Sequence, residues 1–214
     1  SCLRIALDAS ASMDSGEPDK WRFACKLAAM LAYLSLLRYD RVALFALSDG
    51  QTQRSRTFAG RAAYSEVVDY LESIKPHGQT RLNASLLRLS TAGPRGLCAL
   101  ISDLLDEEGV GRGLDSLAYR RQEVAVLQIL SPQELSPAFT GAVRLIDQEG
   151  APPCDIHMTP DALRSYQQAL EAFLSEHRAR CHKHGYWYAM FSSGMDPERE
   201  ALDALLRQGL LAAR

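Results

Sequence analysis

A chain of 214 residues, 47% of them hydrophobic and 23% charged, has the size and apolar content of one large α/β domain with a well-buried core. Its 24 lysines and arginines stand against 26 aspartates and glutamates, a net charge of −2. That balance argues against a general nucleic-acid or membrane-surface binder, which needs a basic face to neutralise phosphates. No apolar run reaches the roughly 20 residues that cross a bilayer, and no signal peptide is evident. The five cysteines (Cys2, Cys25, Cys98, Cys154 and Cys181) are scattered, without the short paired spacing of a zinc ribbon. Reduced thiols and a cytoplasmic domain without membrane insertion are the expectation. A strand pattern opens almost at Ser1, as in a domain excised from a longer protein.

Along the chain, short apolar runs alternate with helical patterns. Leu3 to Leu7 reads as a strand ending at Asp8, and a helix follows from about Lys20 to Leu37, apolar on nearly every face. Val42 to Leu47 is a second strand, and Gln53 to Phe58, shorter and more polar, suits a sheet edge. Helices are expected over Ala62 to Ile74 and Leu82 to Leu89. A buried strand at Leu97 to Ile101 leads into Ser102-Asp103, followed by a helix from Gly113 to Arg121 and a strand at Val124 to Ile129. Ser131-Pro132-Gln133-Glu134 fits a capping box. Val143 to Ile146 and Asp155 to Met158 form a candidate β-ribbon insertion. Thr159-Pro160 opens the longest helix, which runs to about His184 with Gly185 as its cap. Tyr186 to Phe191 is the sixth strand of the main series, and Glu198 to Leu206 the last helix. This order gives a doubly wound, mostly parallel six-stranded sheet with helices on both faces. Ligands of such sheets bind beyond the carboxyl ends of the strands, where strand order reverses.

The chemistry-bearing residues fall at those ends. Asp8-Ala9-Ser10-Ala11-Ser12 follows the first strand, Asp103 follows the fourth, and Gly78-Gln79-Thr80 opens a helix between them. Two carboxylates and three hydroxyls make an all-oxygen set, the chemistry that magnesium takes in near-octahedral geometry while keeping some waters. Two aspartates balance a divalent charge formally, and hydroxyls add oxygens without adding charge. Neither histidine nor another general base stands within the motif to activate a bound water.

Asp-x-Ser-x-Ser, then Thr, then Asp resembles the metal-ion-dependent adhesion site of von Willebrand factor A domains. The resemblance implies Asp8, Ser10, Ser12, Thr80 and Asp103 as metal-site residues. Ser10, Ser12 and one or both of Thr80 and Asp103 would coordinate directly or through water. Magnesium is the implied ion, with manganese or calcium as alternatives, and an acidic residue of a protein partner completes its shell. The rest of the chain is similar to a bacterial branch of that family often encoded beside MoxR-type AAA+ ATPases. The similarity runs through Asp19-Lys20, Asp40-Arg41-Val42, Ser102-Asp103, Leu130-Ser131-Pro132-Gln133-Glu134, Asp147-Gln148-Glu149 and the helix around Tyr166. It implies one antiparallel edge strand and an adaptor or chaperone-like role with a MoxR-type ATPase as partner.

Other readings are kept beside this one. A magnesium-dependent phosphohydrolase also places an aspartate after its first strand, but wants a second carboxylate two residues on, where Ser10 stands. No Gly-x-x-x-x-Gly-Lys-Ser/Thr loop is present, and neither nucleotide nor serine hydrolysis finds its groups. A binding module without turnover is therefore expected. A structural interaction domain with a vestigial site is the third reading. His177, Cys181, His182 and His184 are soft ligands at helical spacing, but a helix C-terminus explains cations there without zinc. Asp106-Glu107-Glu108 is expected to be the solvated first turn of a helix. Trp21, Tyr186, Trp187 and Tyr188 are expected in the core or on a sheet face.

Overall fold

The computed structural model describes residues 2–38, 40–92, 96–137, 141–145, 149–150 and 154–210, with backbone alone for 141–145 and 154–158. In chain order the strands are β1 Cys2–Asp8, β2 Arg41–Ser48, β3 Gln51–Ala59, β4 Leu97–Ser102, β5 Glu123–Leu130, β6 Gly141–Leu145, β7 Cys154–Met158 and β8 Trp187–Ser192. The α-helices are α1 Lys20–Leu37, α2 Tyr64–Ser73, α3 Leu82–Ser90, α4 Gly111–Tyr119, α5 Pro132–Leu135, α6 Pro160–His184 and α7 Leu202–Arg207.

Six strands form one sheet in the order β3-β2-β1-β4-β5-β8. All neighbours are parallel except β2 and β3, so β3 is the edge that its polar sequence suggested and the antiparallel strand that the family resemblance implied. The strands between the edges alternate their side chains between two cores, as the period of two requires. Ile5, Leu7, Leu44, Ile101 and Leu127 pack beneath α1, α2 and α7. Ala6, Phe45, Leu100 and Val126 pack beneath α3, α4 and Cys181 of α6. Because both faces are covered, β1 is buried at all seven positions.

Local chemistry fixes the helix ends. The Asp19 carboxylate accepts from the amides of Trp21 and Arg22, which starts α1 at Lys20. Thr159 caps α6, and Gly185, at φ 70°, closes it in the left-handed conformation. The capping box at Ser131 is formed in both directions. Three helices differ from the sequence reading in detail. Helix α4 runs two residues earlier than read, from Gly111 to Tyr119. The chain from Ala62 enters α2 through a 3₁₀ turn at Arg61–Ala63, and Pro197–Ala201 forms a π turn before α7. The ribbon is present as the antiparallel pair β6 and β7, in which Gly141 faces Met158 and Leu145 faces Cys154. Among the described residues no helix is long and apolar enough to cross a membrane.

Strand order reverses between β1 and β4: from β1 the chain first adds strands on one side, then crosses to the other. The crevice at the carboxyl ends of these two strands is where Asp8 and Asp103 emerge.

Candidate functional site

The inner wall of the crevice is buried and saturated with hydrogen bonds. Asp8 is 1% exposed, Ser10, Ser102 and Asp103 0%. The Asp8 Oδ1 atom accepts from the Ser10 amide at 3.1 Å and the Ser10 hydroxyl at 2.6 Å, while Oδ2 accepts from the Ser102 hydroxyl at 2.6 Å. Burial, then the neighbouring charge of Asp103, pushes the Asp8 carboxyl up to about 7, against the pull of those donors. On the far side of Asp103, Lys20 Nζ lies 2.7 Å from Asp103 Oδ2 and 2.7 Å from Glu134 Oε1. Burial alone would lower the Lys20 pKa, but the two carboxylates outweigh it and hold the ammonium above its ordinary value. The single turn α5 delivers Glu134. That turn is tied down by the Ser131 cap, by the Tyr166 hydroxyl donating to the Glu134 carbonyl at 2.6 Å, and by Gln133 pairing with the Glu17 backbone.

The backbone beyond Asp103 turns sharply. Leu104 takes φ 62°, a left-handed conformation that a branched side chain adopts only under constraint. Its amide bonds the Ser102 hydroxyl at 2.9 Å, and the Leu105 amide bonds Asp103 Oδ1 at 3.0 Å. The turn buries Leu104 and leaves Leu105 46% exposed at the rim.

The outer side of the crevice is a row of hydroxyls. Ser10 Oγ is 3.0 Å from Ser12 Oγ, which is 3.3 Å from Thr80 Oγ1. The Thr80 loop is pinned to the first one by His77 N to Ala9 O at 2.8 Å and Ala11 N to Gly78 O at 3.0 Å. Gly78 sits at φ 72°, and a Cβ there would fall 2.0 Å from an Asp49 carboxylate oxygen, so the loop requires glycine. Asp49 in turn accepts from the Gln79 amide at 2.7 Å. Thr80 closes the row by donating its hydroxyl to Glu149 Oε1, and its amide donates to Glu149 Oε2 at 3.0 Å. Outside lies an open cleft of about 570 Å³ whose lining includes Ser12, Thr80, Asp106, Glu107, Glu108 and Glu149.

The structure thus brings Asp8, Ser10, Ser12, Thr80 and Asp103 together. Four further groups complete the place: Lys20, Ser102, Glu134 and Glu149. Each belongs to a short motif already visible in the sequence, but nothing in one dimension shows that four separated motifs meet. As a donor set the oxygens suit a hard divalent cation: the Ser10 proton goes to Asp8 and the Thr80 proton to Glu149, leaving hydroxyl lone pairs for an ion.

Two subsidiary expectations resolve differently. Asp106-Glu107-Glu108 does not begin a helix, because α4 starts only at Gly111. Asp106 instead caps α3 from across the crevice, its Oδ2 accepting from the Leu82 amide at 2.6 Å. Of the soft-ligand residues of α6, His182 is exposed in the last turn beside Lys183, and the other three pack against neighbours. Cys181 is 2% exposed, with its thiol pushed up to about 11 by burial, His177 meets the Phe173 ring edge-on, and His184 stacks on Tyr186. Cys2, Cys25, Cys98 and Cys181 are free thiols. Of the aromatics, Tyr186 is 9% exposed and Tyr188 donates to the buried Gln128, whereas Trp187 stands 38% exposed.

The same architecture occurs in solved structures. The conserved hypothetical protein BatB from Bacteroides thetaiotaomicron superposes with a TM-score of 0.62 at 17% identity, covering 99% of this chain and 98% of that one. An aerotolerance-related membrane protein from Bacteroides fragilis gives 0.59 at 19% identity over 97% of each chain. The VWA domain of SpRpn10 gives 0.55 at 12% identity, over 98% of this chain and 95% of that one. At these identities the likeness establishes the fold, a von Willebrand factor A-like sheet. No curated protein sequence is significantly similar. Residues 2–179 match a family model, and the chain belongs to the family described as "Protein of unknown function DUF58".

Proposed function

We propose that this chain is a metal-dependent protein-interaction module in which Asp8, Ser10, Ser12, Thr80 and Asp103 hold a divalent cation, magnesium in the cell. The observation that carries this reading is the hydroxyl row of 3.0 and 3.3 Å steps laid against two buried aspartates at the sheet's switch point. A cation bound there supplies a Lewis-acidic position that accepts a carboxylate oxygen from another protein. Within this set Ser10, Ser12 and Thr80 offer oxygens, while Asp8 orients Ser10 and balances charge. Lys20 anchors Asp103 from behind, so that Asp103 keeps one rotamer whether or not the site is filled.

Charge at the rim constrains the partner. Glu107 and Glu108 are exposed beside the cleft and would repel an isolated acidic side chain. The partner's carboxylate is therefore flanked by lysine or arginine. A MoxR-type AAA+ ATPase, the partner class implied by the family resemblance, is tested by co-elution of the purified proteins in magnesium and in chelator. Association in magnesium alone is expected.

The reading is of binding without turnover. The Ser10 and Ser12 hydroxyls bond Asp8, Thr80 and each other, and the nearby Lys20 is held by two carboxylates. Thermal unfolding with and without magnesium tests the metal site. A melting temperature that rises with magnesium in the wild type, and not in Thr80→Ala, supports the reading. Magnesium-dependent hydrolysis of p-nitrophenyl phosphate that Asp8→Asn abolishes would replace it with the phosphohydrolase alternative.

A further inference from the structure

Glu149 comes from the segment between β6 and β7, 69 residues from Thr80 in sequence, yet both of its carboxylate oxygens are engaged by Thr80. Such a two-point grip on one residue goes beyond what a solvated loop glutamate needs. It sets the carboxylate at the open end of the hydroxyl row, in the cleft that Ser12 and Thr80 also line. The opposite end of the row is closed by Asp8, so Ser10, Ser12 and Thr80 run between two carboxylates. Asp103 is differently employed. Its Oδ2 accepts from Lys20 on the inner side and its Oδ1 from the Leu105 amide.

Accepting that the site holds a divalent cation, we propose that Glu149 is its intrinsic acidic ligand: the carboxylate occupies the cleft-facing position and must be displaced before an acidic residue of another protein can bind. The ribbon insertion then sets the threshold for partner binding. A tethered carboxylate competes at the millimolar effective concentration of a short linkage, so the apparent affinity for a free carboxylate falls to the fraction of time that Glu149 is off the ion. Thr80 provides the resting place. Once displaced, Glu149 would retain a donor for its charge in the Thr80 amide.

Manganese, a paramagnetic substitute for magnesium, permits a direct test, because the relaxation of solvent protons counts the exchangeable waters on the bound ion. Wild type, Glu149→Ala, Glu149→Gln and the rim control Glu107→Ala are loaded with manganese and then titrated with acetate. The proposal predicts one more exchangeable water in Glu149→Ala than in wild type. It also predicts displacement of water by acetate at a roughly tenfold lower concentration in that variant. Glu149→Gln, which keeps the shape and loses the charge, shifts in the same direction, and Glu107→Ala matches the wild type. Equal water numbers and equal acetate affinities in all four proteins would overturn it, leaving Glu149 as a support for Thr80 alone. Wild-type protein that binds no manganese would instead remove the metal-site reading on which the proposal rests.

Discussion

The two sides of the crevice are built to opposite specifications. On the inner side, Asp8, Ser10, Ser102, Asp103 and Lys20 are each at most 1% exposed, and the carboxylate oxygens of both aspartates accept from named donors. On the outer side, Ser12 and Glu149 are half-buried and Glu107 and Glu108 exposed. Electrostatic energies scale inversely with the local dielectric constant, so a charge on the inner side is costly unless paired, while one on the outer side is cheaply solvated. The inner side therefore determines whether the site exists, and the outer side determines what enters it. A fold can vary the second without risking the first, as the ribbon that carries Glu149 illustrates.

The sharpest way to break this contrast is at Lys20. Lys20→Met leaves Asp103 buried without its cation, and the loss in stability should be about 3–5 kcal/mol by urea unfolding. A loss below about 1 kcal/mol would mean that the inner side is no more demanding than the surface.

Asp8 offers a second, pH-dependent test. Its carboxyl is raised in the folded protein from 3.8 to about 7, so the folded state holds this proton more tightly than the unfolded chain does. Its contribution is thus favourable below pH 4, is lost progressively as pH rises towards 7, and stays constant above that. The metal-free wild type should lose more stability across this window than Asp8→Asn, as followed by thermal melts at a series of pH values. Magnesium, by keeping Asp8 ionised in the folded state, should remove the difference in slope.

A smaller effect is expected at Ser131, whose hydroxyl caps the turn that delivers Glu134 to Lys20. Ser131→Ala should cost about 1 kcal/mol in urea unfolding. Smallest of all is Glu107→Ala on the outer side, within about 0.5 kcal/mol of the wild type and unchanged in metal affinity by calorimetry.

What was legible in the sequence follows the range of the forces involved. Helix α1 is readable to both termini, because Asp19 and the apolar stretch after it act within a few residues. Asp8, Ser10 and Ser12 are readable because one loop carries all three. Glu134 is legible as half of a capping box, which the structure forms, but its second contact with Lys20 spans 114 residues and leaves no local trace. Lys20 and Glu149 stand in family motifs that give them no role, for the same reason. The acidic run at Asp106 does not open a helix of its own, because a dipole argument supplies a sign and not an address. The helix that Asp106 caps is α3, 24 residues earlier in the chain.

Calorimetric titration of magnesium into chelator-stripped protein, beside Asp8→Asn, tests the central claim most directly. Saturable binding at one site, lost in a variant that remains folded, is the predicted result. A folded wild type that takes up no magnesium, or an Asp8→Asn variant that binds as tightly as the wild type, would contradict it.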